Sequence, residues 1–354
     1  MVPTFFQKAA HQLGTLILGV GLAFVVGPML ESVIDPYWFS IFVYAGINIT
    51  LAVSLNLVNG ITGQFSMGHA GFMAVGAYVS CVLSTTVFPD GTLLGLPSMI
   101  AQPLLFGVVL GVGGLAASIA GYVVGLPSLR LKGDYLAIVT LGFGEIIRVL
   151  ILNIQFVGGA RGMPGIPKWT SFGWVFSAAV LCVFLIWRLM HSRHGRAFLA
   201  VREDEVAAEA MGVNTTKAKV RAFVIGAFFA GVAGGLFGHY LTYLNPQTFD
   251  FNRSFEIIIM VVLGGMGSLT GSVMAAIFLT VLREALRPLQ ELTQVDLRMI
   301  IYSLSLIVLM LTRPNGFLGS REIYDLGWFK ALRSKFRKAA AVSDGTRTGR
   351  LKIV

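Results

Sequence analysis

FGWVFSAAVLCVFLIW (Phe172–Trp187), RLMHSRHGRAFLAVREDEVAAEAMGVNTTKAKVR (Arg188–Arg221) and AFVIGAFFAGVAGGLFGHYLTYL (Ala222–Leu244) follow one another without interruption. The outer two stretches hold no charged residue, whereas the middle one carries seven Lys/Arg, four Asp/Glu and two His. A bilayer crossing takes about 20 mainly apolar residues, so the outer stretches mark spans and the middle one a polar island between them. The same contrast repeats along the chain. No Asp, Glu, Lys or Arg occurs in 36–89, 91–129, 222–249 or 257–282. With 55% hydrophobic residues, 12% charged residues and a mean hydropathy of +0.78, the chain is an all-α polytopic membrane protein. Its 42 glycines suit close approach of helices in lipid.

The net charge of +10 is unevenly placed. Residues 1–187 sum to +1, the island to +3, residues 222–312 to −1 and the tail 313–354 to +7. Lys/Arg concentrated in loops and tail mark the cytoplasmic face. This reading is preferred over binding of nucleic acid or lipid headgroups by the tail. Cys81 and Cys182 both lie in apolar runs, which argues against a disulfide or a metal site. The first apolar run, Leu13–Ile34, is too long for a signal h-region and lacks a small-residue cleavage site.

Spans are expected near 12–34, 38–58, 67–88, 100–126, 134–156, 170–190, 220–244, 254–266, 268–286 and 298–312. These give about ten transmembrane or half-membrane helices, with 254–286 forming either two short crossings or a hairpin dipping from one side. The transmembrane domain is expected over 1–312, with a cytoplasmic loop at 191–219 suited to coupling with a partner, and 313–354 is expected to be a basic cytoplasmic tail. Both termini, the loop at Arg130 and Lys132, and the island fall in the cytoplasm. Two Gly-rich interruptions, NGITGQFSMGHAGFMAVGAY (Asn59–Tyr78) and LGGMGSLTGSVMAAIFL (Leu263–Leu279), each place Gly and Ser before a small-residue helix. They point either to an internal repeat along a solute path or to glycine-rich packing.

Candidate residues fall into two sets. In the island, Arg202, Glu203, Asp204, Ala207, Ala208, Met211 and Gly212 are expected to couple the chain to a cytoplasmic partner. Glu203, Asp204 and Glu205 favour a helix N-terminus, the alanines and Met211 offer a smooth surface, and Gly212 before Asn214 stops the helix. An amphipathic helix lying on lipid would instead show large apolar residues. The second set is a possible translocation path: Asn56, Ser66, His69, Glu145, Arg148, Gly264, Gly265 and Ser268. Glu145 and Arg148 are three residues apart on one helix face, which fits an ion pair pinning two helices or a polar route. His69 fits a hydrogen-bonded packing residue better than a proton relay. Asn48 and Asn56 either face one lumen or bind helices together. No Walker A, HExxH or GxSxG motif and no Cys/His cluster occurs, so no catalytic or metal-ligating residue is assigned. ATP would have to be bound by another chain, and the scarcity of midplane acids weighs against a self-contained secondary carrier.

The residues also resemble a family. GRAFLAVREDEVAAEAMGVNTTKAK (Gly195–Lys219) is similar to the coupling loop of LivM-type permeases, the membrane subunits of branched-chain amino acid ABC importers. NGITGQFSMGHAGFMAVGAYVS (Asn59–Ser80), LKGDYLAIVTLGFGEIIRVL (Leu131–Leu150), YLNPQTFDFNRSFEIIIMVVLGGMGSLTGS (Tyr243–Ser272) and RPNGFLG (Arg313–Gly319) resemble further family blocks in order. In VGGARGMPGI (Val157–Ile166) the chain departs from the family pattern at Val157 and Met163, where the family usually has Thr and Ile. The resemblance implies a LivH-like second permease subunit, two ABC ATPase subunits, a periplasmic solute-binding protein, no cofactor of the chain's own, and location in the bacterial inner membrane. Hydrophobic amino acids are the expected solutes; family members for urea and short amides leave an alternative open.

Overall fold

The computed structural model describes residues 5–88, 98–129, 131, 133–286 and short pieces at 303–304, 307–308, 311–312, 316–319 and 322. The loop carrying Arg130 and Lys132, most of the expected last span and nearly all of the tail lie outside the described residues. Within them the chain is helical: α1 (Phe5–Val33), α2 (Pro36–Asn56), α3 (His69–Val82), α4 (Ser98–Ser128), α5 (Asp134–Asn153), α6 (Phe172–Met190), α7 (Arg193–Glu203), α8 (Glu205–Ala210), α9 (Thr215–Leu241), α10 (Phe251–Gly264) and α11 (Leu269–Ala285). The expected spans correspond to α1–α6 and α9–α11. Six helical segments are long and apolar enough to cross a membrane: Pro36–Ile61, His69–Val87, Ala101–Ser128, Tyr135–Asn153, Phe172–Met190 and Thr215–Leu241. The chain is therefore a multi-pass helical membrane protein.

α9 is the central helix, packed against α2, α3, α4, α6 and α7. It runs at the centre because its small residues let neighbours come very close. A Cβ added at Gly76 would collide with the backbone of Gly231, and one at Gly234 with the carbonyl of Met73, so α3 and α9 touch backbone to backbone. Outward faces are apolar instead: Ile17, Leu18 and Leu22 on α1, Ile119 and Val123 on α4, and Ile138 and Leu150 on α5 are exposed. In water such a surface would be unfavourable; in a bilayer it meets hydrocarbon.

α10 and α11 form a hairpin rather than two independent crossings. Tyr37, at the start of α2, donates its hydroxyl to Glu284 at the end of α11 (2.7 Å), while Asn56, at the end of α2, bonds the hairpin turn. The turn therefore lies toward the island and both open ends lie on the opposite face. The segment Gly316–Gly319 and Glu322, assigned from sequence to a separate tail, packs onto this turn: Phe317 donates its backbone N–H to Leu263 (2.7 Å). Glu322 accepts from the backbone N–H groups of Leu269 (2.8 Å) and Thr270 (3.1 Å), capping α11 with a buried carboxylate. The bundle thus extends past residue 312.

Candidate functional site

The island folds as two helices, not one. Ser192 caps α7, its hydroxyl accepting from His194 and Gly195. α7 buries Phe198 and Val201 and ends at Glu203. Asp204 then adopts an extended backbone and its Oδ1 accepts from Val206 (2.9 Å) and Ala207 (3.0 Å), starting α8. Glu203, expected at a helix N-terminus, is instead the last residue of α7 and pairs with Arg202 (2.7 Å). The apolar residues upstream had already begun a helix that consumes it. Gly212 stops α8 with φ +83, as the sequence requires, and the side chain of Asn214 accepts from Lys217 to cap α9.

α8 is held to the bundle by an ion pair between Glu205 and the buried Lys219 of α9 (2.6 Å). That anchor decides which way the helix faces. Ala208, expected on the outward surface, is buried, whereas Ala207, Val206 (69% exposed) and Met211 (85% exposed) point away from the bundle. Inward, Arg202 donates Nη1–H to the carbonyl of Gly60 (3.2 Å), and a Cβ at Gly63 or Gly267 would press on its side chain. The island is thus joined through one guanidinium to both Gly-rich interruptions.

Those interruptions meet. α2 ends in a π-helical turn, Leu57–Ile61, before α3 begins at His69. The hairpin turn uses Gly265 (φ +106) and Gly267 (φ +95). Asn56 clamps the two together, donating Nδ2–H to Ser268 O (2.8 Å) and accepting from Gly267 N–H (2.9 Å). A Cβ at Gly60 would strike Asn56 and the Gly267 backbone, and one at Gly264 the backbone of Gly271. Ser66 is bound at both its backbone N–H and its carbonyl by Asn59 (each 3.1 Å), and His69 Nε2 lies 2.9 Å from Ser54 Oγ. Asn56, Gly264, Gly265 and Ser268 therefore meet in one buried clamp, while Ser66 and His69, also buried, are held beside α2 by Asn59 and Ser54. Glu145 and Arg148 stand apart on α5, paired with each other at 2.7 Å and half-exposed; among the described residues neither reaches a neighbouring helix.

The opposite face holds a feature the sequence reading passed over. Arg253 and Glu256 of α10 pair at 2.8 Å, and Glu256 also binds Arg283 of α11 at 2.8 Å. Arg253 reaches Asn48 Oδ1 (2.8 Å), whose Nδ2 donates to Thr280 (2.9 Å). These side chains border a cleft of about 500 Å³. The i,i+3 spacing of Arg253 and Glu256 was a usable signal, like that of Glu145 and Arg148. Of the two asparagines weighed together, Asn48 lines this cleft and Asn56 serves the clamp. On the same face, Val157 is buried and Met163 pairs with Leu244 through two backbone hydrogen bonds (2.8 and 3.0 Å), so the two positions that depart from the family pattern shape the loop that ties α5–α6 to the end of α9.

Comparison with known proteins agrees with this architecture. Residues 37–310 match the family model described as the permease component of the branched-chain amino acid transport system. The chain is 37% identical over 307 residues to the high-affinity branched-chain amino acid transport system permease protein LivM of Escherichia coli strain K12, covering 77% of this chain and 68% of that protein. It is 31% identical over 261 residues to the probable LivM of Methanocaldococcus jannaschii, covering 65% of this chain and 76% of the relative. The LivH permease of E. coli K12 is 27% identical over 293 residues, covering 77% of this chain and 91% of its own length. No solved structure matches. With more than half of its length inside that family model, and its helices and interruptions in the places described, the chain belongs to the LivM-type permeases of the branched-chain amino acid transport family.

Proposed function

We propose that the chain is one of two membrane subunits of an ATP-driven importer for branched-chain or other hydrophobic amino acids in a bacterial inner membrane. The island and both termini face the cytoplasm. The solute arrives from a periplasmic binding protein, and two ATPase subunits supply the energy. Likeness of the one chain to both LivM and LivH supports pairing with a homologous LivH-like permease. ATP is bound by the partner ATPases, since the chain has no Walker A motif of its own.

The observation that carries this reading is α8, a six-residue helix anchored on one side and bare on the other. Asp204 and the Glu205–Lys219 pair fix its position, while Val206, Ala207 and Met211 present a small apolar face outward. Such a face on the Lys/Arg-rich side suits a groove in a cytoplasmic partner. Arg202 then links any displacement of α7–α8 to Gly60 and, through Asn56, to the hairpin turn. A differential contact energy of about 1–3 kcal/mol shifts a two-state equilibrium roughly five- to 150-fold, so modest motion of α8 suffices to bias which face is open.

The test uses the assembled transporter. The isolated chain should hydrolyse no ATP, and Met211→Glu should weaken co-purification of the ATPase subunits and reduce solute-stimulated hydrolysis about tenfold or more while expression of the permease is kept. Full coupling in the Met211→Glu assembly would remove α8 as the contact.

A further inference from the structure

Four helices meet around a groove of about 420 Å³ at the root of the island. α9 contributes Arg221, Val224 and Ile225, α4 contributes Tyr122, and Leu189 of α6 and Phe198 of α7 complete the apolar lining. His194 borders it from the first turn of α7, and no carboxylate lines it. Ser118 donates its hydroxyl to the carbonyl of Val224 (3.3 Å), which fixes α4 beside α9 at this point.

The groove lies at a defined depth. α9 is longer than a bilayer core, and the rise from Arg221 to Leu241 is about 30 Å, the thickness of the hydrocarbon layer. Arg221 therefore stands where acyl chains meet headgroups, and Val224 and Ile225 lie one turn deeper. Tyr122, with an apolar ring and a polar tip, is a residue of the same boundary. On either side the surface is apolar: Ile119 and Val123 of α4 and Leu181 and Leu185 of α6 are exposed.

The positive charge here is not matched within the chain. Arg221 and His194 are exposed, and among the described residues neither side chain has an ion pair or a hydrogen bond. Glu203 is paired with Arg202 and Asp204 caps α8. Lys219, which holds Glu205, is two residues from Arg221 and so about 200° round α9. α8, with Glu205 and Glu209, is thus anchored on the other side of that helix.

We propose that this groove binds an anionic phospholipid from the leaflet on the island side. Its phosphate is received by Arg221 and His194, and an acyl chain lies along Val224 and Ile225 between Tyr122 and Leu189. The order of groups fits such a molecule, with bases at the level of the phosphates and an apolar channel below them. Basic pockets between membrane helices recognise lipid headgroups in this way. A zwitterionic lipid would bring its own ammonium beside Arg221, so the groove favours net negative charge. The inference needs the chain to lie in a bilayer and does not depend on the importer reading.

The test uses the assembled transporter in nanodiscs of mixed phosphatidylglycerol and phosphatidylcholine, with a photoactivatable diazirine in an acyl chain of one lipid or the other. Crosslinks are mapped by mass spectrometry. At the peptides carrying Tyr122 or Val224 and Ile225, phosphatidylglycerol should be favoured about fivefold, the scale of one arginine near an anionic surface. At Leu18 and Leu22, exposed on α1, the two lipids should label alike. Arg221→Gln should reduce the preference at the groove to that of α1, and Arg221→Lys should keep most of it. Excess inorganic phosphate at constant ionic strength should leave the labelling unchanged, since a free anion lacks the chain; displacement by phosphate would make this an anion site and overturn the lipid. Equal labelling by the two lipids at the groove, or an undiminished preference in Arg221→Gln, would also overturn it. So would an absence of lipid crosslinks at the groove together with loss of another subunit from Ile225→Trp, which would assign the groove to a protein. If Arg221→Gln fails to assemble, the wild-type comparison of the groove with α1 decides.

Discussion

The two ends of the α10–α11 hairpin treat polar groups differently. At the turn, Asn56, Gly267, Ser268 and Glu322 are buried and bonded to one another or to neighbouring backbone. At the open end, Arg253 and Glu256 are paired as well, but they and the more exposed Arg283 border a cleft. Within a bilayer an unmatched polar group is costly, so where nothing is to be bound the chain matches each of these groups internally. The two ends also differ in what they contact: the turn is linked through Arg202 to the island, and the cleft is on the far face.

This contrast predicts that substitutions at the turn cost more stability than those at the cleft. The largest effect is expected at Gly60→Val. Its side chain would overlap Asn56 and the Gly267 backbone, neither of which can yield cheaply. A loss of about 3 kcal/mol or more is expected, read as aggregated rather than monodisperse protein on gel filtration. Normal elution and thermal midpoint would mean that the two interruptions do not touch.

Asn56→Ala comes next. It strands the buried Gly267 N–H at a cost of about 1–3 kcal/mol, while the Ser268 carbonyl keeps its two bonds from Ser272. Thermal unfolding in detergent should show a clear drop, whereas transport per folded molecule falls only as far as stability does. A stable Asn56→Ala protein with lost uptake would move Asn56 from the clamp to the solute path.

Asn48→Ala should have the smallest effect on stability, about 1 kcal/mol, because its partners Arg253 and Thr280 each keep another hydrogen bond. If Asn48→Ala instead unfolds as readily as Asn56→Ala, the cleft is a second clamp and the contrast disappears.

Much of this organisation was legible without coordinates. Uncharged stretches of bilayer length gave the spans, because water-exposed backbone cannot persist in hydrocarbon and only continuous helices satisfy it there. Gly212 and Asn214 announced the end of α8 and the start of α9 by local chemistry alone, and the structure agrees at both. Asp204 was placed correctly near a helix start, but Glu203 was not, since the signal for α7 lay in the burial of Phe198 and Val201. The direction in which Ala208 faces was not readable either, because it depends on Lys219, eleven residues away on another helix.

The sequence by itself determined class, polar island and family, since these rest on local composition and on motifs a few residues long. Only the tertiary structure decided which polar residues are engaged and which are open. Asn48 and Asn56 lie two helical turns apart on α2 and are chemically identical, yet one borders a cleft and the other closes a clamp. Arg253 and Arg283 lie 30 residues apart and meet at Glu256 because the hairpin folds them together. Partnership between such groups is a property of distance in space, and a chain that folds back on itself sets that distance only when its helices have packed.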